Sequence, residues 1–272
     1  MANHQQFQSC YQNWMAQQRL DLNELLQALT NFPTDPDYLQ LIVKKHINHY
    51  EYYLTARAQL AKHDGPSFLA PTWGTTFENS SLWIGGCRPS LIIRLVYVLC
   101  GYQQNTHLAE FLHGVTRGNL GDISSSQLIS IDALHAKTIK EEDKLTSTFA
   151  SLQAYNTTYN ITSYERVADE PLALLAYNSR QIGESSQGEV VDKAMDSHAS
   201  DMYKILVEAD KLRLDILKHM IDILTPLQAV EFLVASRKLQ LCLHEWSKRR
   251  DIQMGITQLF NTDNPSSSGA SL

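Results

Sequence analysis

From Met202 to Ile223 an apolar residue recurs every three or four positions: Met202, Ile205, Ala209, Leu212, Ile216, Met220 and Ile223. That spacing fits only an α-helix, held for about six turns. Leu206, Leu217, Ile221 and Leu224 widen the stripe, so the helix should be half buried in a bundle and not seamed as a thin coiled coil. Thr225-Pro226-Leu227-Gln228 then restarts the chain. Thr225 can cap, Pro226 suits the first turn, and Gln228 can reach back in a capping box. The next helix should bury Val230, Leu233, Val234 and Leu241, with Phe232, Leu239, Leu243 and Trp246 beside them. A long helical hairpin from about Val190 to Trp246 is the expected frame of the fold.

The rest of the chain reads the same way, because its 12 glycines and 8 prolines are few and bunched. Phe7 to Leu29 suggests one helix, bent near 18–21. Asp35 and Pro36 open a second, which should end near Gly65-Pro66. Residues 66–87 read as irregular and aromatic. Pro89 and Gly101 bracket an apolar run that should be a buried helix. A loop is expected at 117–126, then a long helix through Leu128, Ile131, Leu134, Leu145 and Leu152. A polar connection at 155–169, a short helix at 172–177 and a loop at 183–188 follow. The expectation is one all-α domain of long antiparallel helices over residues 5–255, with a disordered tail at 256–272.

Net charge is −6, so the chain as a whole does not attract nucleic-acid phosphates. Lys248, Arg249 and Arg250 read as a solvated helix end. The apolar run is half the length of a membrane span. Four scattered cysteines without a CxxC pair suggest reduced thiols in the nucleus or cytoplasm and no zinc knuckle. No phosphate loop, GxSxG or HExxH occurs, so an enzyme is not expected.

Gly85-Gly86, before Cys87 and Arg88, offers either an anion-binding turn or a tight bend packing Trp83; the bend is the better reading. Cys87 lacks an assignable base. Arg94 should reach the surface or one polar partner. His46 and His49 are three apart, but Lys44 and Lys45 adjoin them and no third ligand is evident, so a solvated face is expected and no metal site. His244 suits a hydrogen bond at the bundle edge better than a metal or haem.

Three segments resemble the plant delay-of-germination domain: Ala70–Gly101 (APTWGTTFENSSLWIGGCRPSLIIRLVYVLCG), Leu206–Asp251, and SCYQNWM at Ser9–Met15. Trp73, Trp83, Gly85, Gly86, Arg88 and Pro89 carry the central signature. The resemblance implies a regulator in seed dormancy and abscisic-acid signalling that binds proteins, among them type-2C protein phosphatases, with Tyr11 and Trp14 as partner-binding residues. The same domain forms the C-terminal half of TGA-class leucine-zipper transcription factors, but this sequence shows no basic region with leucine heptads, so direct DNA contact is not expected. Some family members are thought to bind haem through a histidine pair four apart. Here only His244 remains and Gln240 replaces its mate, a poor iron ligand. Ser9 and Asn13 stand where dormancy-type members are acidic.

Overall fold

The computed structural model describes residues 2–101, 119–154 and 186–256, and among these it is all-α. The 155–169 connection, the helix at 172–177 and all but Ile256 of the tail lie outside the described residues, as do 117–118 and 183–185 of the two loops. The eight helices are α1 Ala2–Asn31, α2 Pro36–Ala61, α3 Gly65–Leu69, α4 Thr76–Ser80, α5 Ser90–Leu99, α6 Ser125–Ala154, α7 Ser186–Ile223 and α8 Pro226–Gln253, with a 3₁₀ turn at Asn119–Asp122. None is long and apolar enough to cross a membrane.

Local chemistry sets the helix starts. The Asp35 carboxylate accepts from the Tyr38 N–H at 3.0 Å ahead of Pro36. Thr225 and Gln228 form the full capping box of α8. Gly65-Pro66 does not end α2; α2 stops at Ala61, and these residues start α3 behind the Asp64 cap. The segment read as irregular contains two short helices, α3 and α4. In the loop read at 183–188, Ser186 to Gly188 are already helical.

The expected hairpin is the main correction. α7 and α8 follow one another but diverge after Thr225: α8 packs along α1 and α2, whereas α7 packs along α6, α3 and α2. The pairs run antiparallel. Gln18 meets Gln240 while Asp21 meets Arg237, Trp14 meets Tyr53 while Glu24 meets Lys45, and Glu51 meets Lys218 while Arg57 meets Asp210. The main core lies where these layers meet, around Leu25, Leu39, Ile93, Ile131, Met220 and Phe232. A second cluster joins Phe7, Phe68, Trp73 and Leu206, and a third Trp83, Ile84, Leu145 and Ile205. α5 is buried on one side only, since Leu91 and Arg94 face solvent. Leu243 and Trp246, expected inside, are 38% and 45% exposed.

Candidate functional site

Tyr11 and His244, picked from opposite ends of the sequence, meet over Glu78. α4 fixes Glu78: Thr75 Oγ1 donates to Glu78 Oε2 at 2.6 Å within a capping box. The Tyr11 hydroxyl donates to Glu78 Oε1 at 3.2 Å. His244 Nδ1 lies 3.0 and 3.1 Å from the two carboxylate oxygens and 3.4 Å from the Tyr11 oxygen. The two rings meet edge-on at 6.1 Å. Asp251 takes the Thr76 N–H at 2.9 Å, and Phe77 packs edge-on against Trp246 at 4.9 Å. α1, α4 and α8 are thereby joined by one polar knot. Burial, and next the Glu78 carboxylate, hold the Tyr11 phenol well above its ordinary range. Burial also opposes ionisation of Glu78, but hydrogen bonds from His244 and Thr75 outweigh it and lower its pKa.

Trp14 is placed differently. It is 6% exposed, stacks on Tyr53 at 4.6 Å and 9°, and lies 5.1 Å beneath the Arg237 guanidinium. Its neighbours Gln12, Asn13 and Ala16 are exposed, as is Ser9. The outer face of α1 at the Tyr11 knot is therefore made of Ser9, Gln12, Asn13 and Ala16.

The Ala70–Gly101 signature folds around one tight turn. Trp83 and Gly86 exchange backbone hydrogen bonds at 2.7 and 3.1 Å. Both residues between them have positive φ, +43° at Ile84 and +67° at Gly85, the pattern of a type I′ turn. Positive φ is strained for Ile84. Arg213 holds the strain in place: its guanidinium donates to the carbonyls of Trp83, Ile84 (3.0 Å) and Cys87 (2.7 Å). Arg57 donates to the Gly85 carbonyl at 2.6 Å, and both arginines bind buried Asp210. Pro89 is buried, while Arg88 is exposed and reaches Glu142 at 3.6 Å. The start of α5 is occupied by the chain's own anion: fully buried Glu142 accepts from the Ser90 N–H at 2.6 Å and from its hydroxyl at 3.1 Å. The bend reading holds, and the anion site of the alternative is filled from within.

The seed dormancy control family (DOG1) matches residues 21–98. Protein DOG1-like 1 of Arabidopsis thaliana is 38% identical over 264 residues, covering 90% of this chain and 89% of that protein. The chain belongs to the DOG1-like family. The resemblance carried by Trp73, Trp83 and the segment after them is thus borne out, and with it a place among plant regulatory proteins. Transcription factor TGA2 of the same plant is 27% identical over 84% of this chain but 59% of its own length, as a shared domain requires. Protein RESPONSE TO ABA AND SALT 1 is 25% identical over 90% of this chain and 96% of that protein.

In this DOG1-like chain the residues do not fit a bis-histidine haem. Gln240 offers no imidazole, and its amide oxygen already accepts from Gln18 at 2.7 Å. His244 turns Nδ1 inward onto Glu78, as the bundle-edge reading of that residue anticipated. Sequence reasoning missed Glu78, Glu142 and the Arg57–Asp210–Arg213 set, because each also depends on a partner remote in sequence: His244 for Glu78, Ser90 for Glu142, Arg57 for Asp210 and the turn carbonyls for Arg213. It also misjudged His46, which is fully buried, with Nδ1 3.3 Å from Asp21 Oδ1. The signal was present: Leu39, Ile42, Val43, His46, Leu54, Arg57 and Ala61 form one buried stripe of α2. Burial opposes ionisation of Asp21, but His46, Gln17 and His49 outweigh it and lower its pKa to about 2.

Proposed function

We propose that this DOG1-like protein is a non-enzymatic regulator acting in the nucleus or cytoplasm, in seed dormancy, germination and abscisic-acid signalling, through contacts with other proteins. End-to-end relatedness to Protein DOG1-like 1 carries this reading. The family's description as seed dormancy control and the relative named for response to ABA and salt supply the process. Type-2C protein phosphatases are the partner class to test first. The contact is assigned to the face of α1 at Ser9, Gln12 and Asn13, with Tyr11 at its edge; Trp14 supports that face from beneath. A pull-down with a type-2C phosphatase tests this. Retained capture by Tyr11→Ala combined with Gln12→Arg and Asn13→Arg would count against it.

A transcription regulator that binds DNA directly is the second reading, favoured by relatedness to TGA2. A net charge of −6 opposes it. A sequence-specific gel shift at physiological salt by the chain alone would establish that reading over the first. A haem sensor using His244 ranks third; it requires a Soret band that His244→Ala abolishes.

A further inference from the structure

The α1–α2 interface gathers Asp21, His46 and His49 with their ligand atoms all within 4.8 Å of one another. His46 and His49 are one helical turn apart and so lie on neighbouring positions of α2; Asp21 faces them from antiparallel α1. Asp21 Oδ1 is 2.9 Å from His49 Nδ1 and 3.3 Å from His46 Nδ1. Bonds of ~2.0–2.1 Å in a tetrahedral zinc site place ligand atoms roughly 3.3 Å apart, so this spacing needs little adjustment to accept a metal.

The second observation is an unmet need. The His46 side chain is 0% exposed, yet neither of its ring nitrogens makes a well-formed hydrogen bond: Nδ1 stops 3.3 Å from Asp21 Oδ1 and Nε2 3.6 Å from Glu24 Oε2, and Asp21 Oδ2 makes none either. Buried polar atoms normally find partners, and leaving them without one is costly. Around them stands a supporting shell. Glu24 Oε2 faces His46 Nε2 at 3.6 Å, the position of the carboxylate in a carboxylate–histidine–metal triad. Gln17 Nε2 donates to Asp21 Oδ1 at 2.7 Å and orients that carboxylate. The opposing charges are Arg237, 3.9 Å from Asp21 Oδ2, Lys45, paired to Glu24 at 2.7 Å, and nearby Lys44. His49 is 29% exposed and borders a surface hollow lined by Leu41, Lys44, Lys45 and Asn48, which gives the cluster a route to solvent.

We propose that Asp21, His46 and His49 bind one divalent cation of the zinc class, with a fourth position open toward the hollow beside His49. Two imidazoles and one carboxylate suit zinc, which favours such a donor set in four-coordinate geometry. Bound there, the ion ties α1 to α2 and satisfies the buried His46 ring. The proposal is independent of any phosphatase contact.

The test uses the full chain, stripped with a chelator, desalted and titrated with Zn²⁺. One equivalent should bind and raise the Tm, since a ligand held by the folded state alone stabilises it. His49→Ala and Asp21→Asn should each weaken that equivalent by at least about tenfold, with helix content by circular dichroism unchanged. Co²⁺ in the unaltered chain should give the d–d bands of a tetrahedral nitrogen–oxygen site without a thiolate charge-transfer band. Failure of the unaltered chain to bind, equal binding by His49→Ala, or a thiolate band would each overturn the proposal. If His49→Ala loses its helix content, the Co²⁺ spectrum decides by the same criterion.

Discussion

The hydroxyl of Tyr11 and Nδ1 of His244 lie 3.4 Å apart, both against the carboxylate of Glu78, although 233 residues separate them in the chain. Tyr11→Phe deletes one hydrogen bond to a charged, part-buried acceptor and should cost about 1–2 kcal/mol in urea unfolding. A double-mutant cycle with His244→Ala should show coupling above roughly 0.5 kcal/mol, because the two side chains share one acceptor. Additive losses would mean that the knot does not act as a unit.

The same carboxylate sets an acid limit. The pKa of Glu78 is lower in the folded chain than in the unfolded one, so the folded state favours its ionised form. Its contribution is therefore present above the ordinary glutamate value of about 4.3 and is lost as pH falls through the lower folded value. Urea midpoints measured from about pH 6 downward should drop in this acid range. Glu78→Gln should start lower at pH 6 and lose less on acidification.

What the sequence made legible was local. The caps at Asp35 and Thr225, the six-turn stripe of α7 and the bracketing of α5 by Pro89 and Gly101 each depend on residues within a turn or two of one another. Helix pairing does not, and so the α7–α8 hairpin failed: nothing in Leu227 to Leu241 says whether its stripe meets Ile216 or Leu25. Of the candidate site, Tyr11, His244 and Gln240 could be picked out by motif, while Glu78 lay unnoticed inside the signature. His46 was misread because Lys44 and Lys45 beside it pointed outward, although the stripe through Leu39 and Val43 pointed in. Charge near a residue in sequence proved a weaker guide to burial than helical phase.

The signature turn should be intolerant at Gly85. A methyl there would lie 2.7 Å from the Phe68 carbonyl oxygen and 2.7 Å from Leu206 Cδ1, on a backbone with φ +67°. Backbone cannot yield as a flexible side chain does. Left-handed strain and overpacking together should make Gly85→Ala cost about 2–4 kcal/mol, read as a lowered urea midpoint. Arg213→Lys should be damaging for a different reason: an ammonium cannot span the carbonyls of Trp83, Ile84 and Cys87 and the Asp210 carboxylate together.

Two tryptophans that look alike in sequence should part company in experiment. Trp14 is 6% exposed and stacked on Tyr53, whereas Trp246 is 45% exposed and touches Phe77 by an edge. Trp14→Ala opens a cavity between α1, α2 and α8 and should cost about 3–5 kcal/mol; Trp246→Ala should cost about 1 kcal/mol. Urea unfolding gives both values. The contrast bears directly on the partner experiment: capture lost with Trp14→Ala would report a loosened α1 as readily as a lost contact. Gln12→Arg and Asn13→Arg, on the exposed face, should leave the unfolding midpoint within about 0.5 kcal/mol of the unaltered chain. A partner that lets go of those variants while their stability is unchanged reads the surface of α1, and one that lets go only of Trp14→Ala reads its fold.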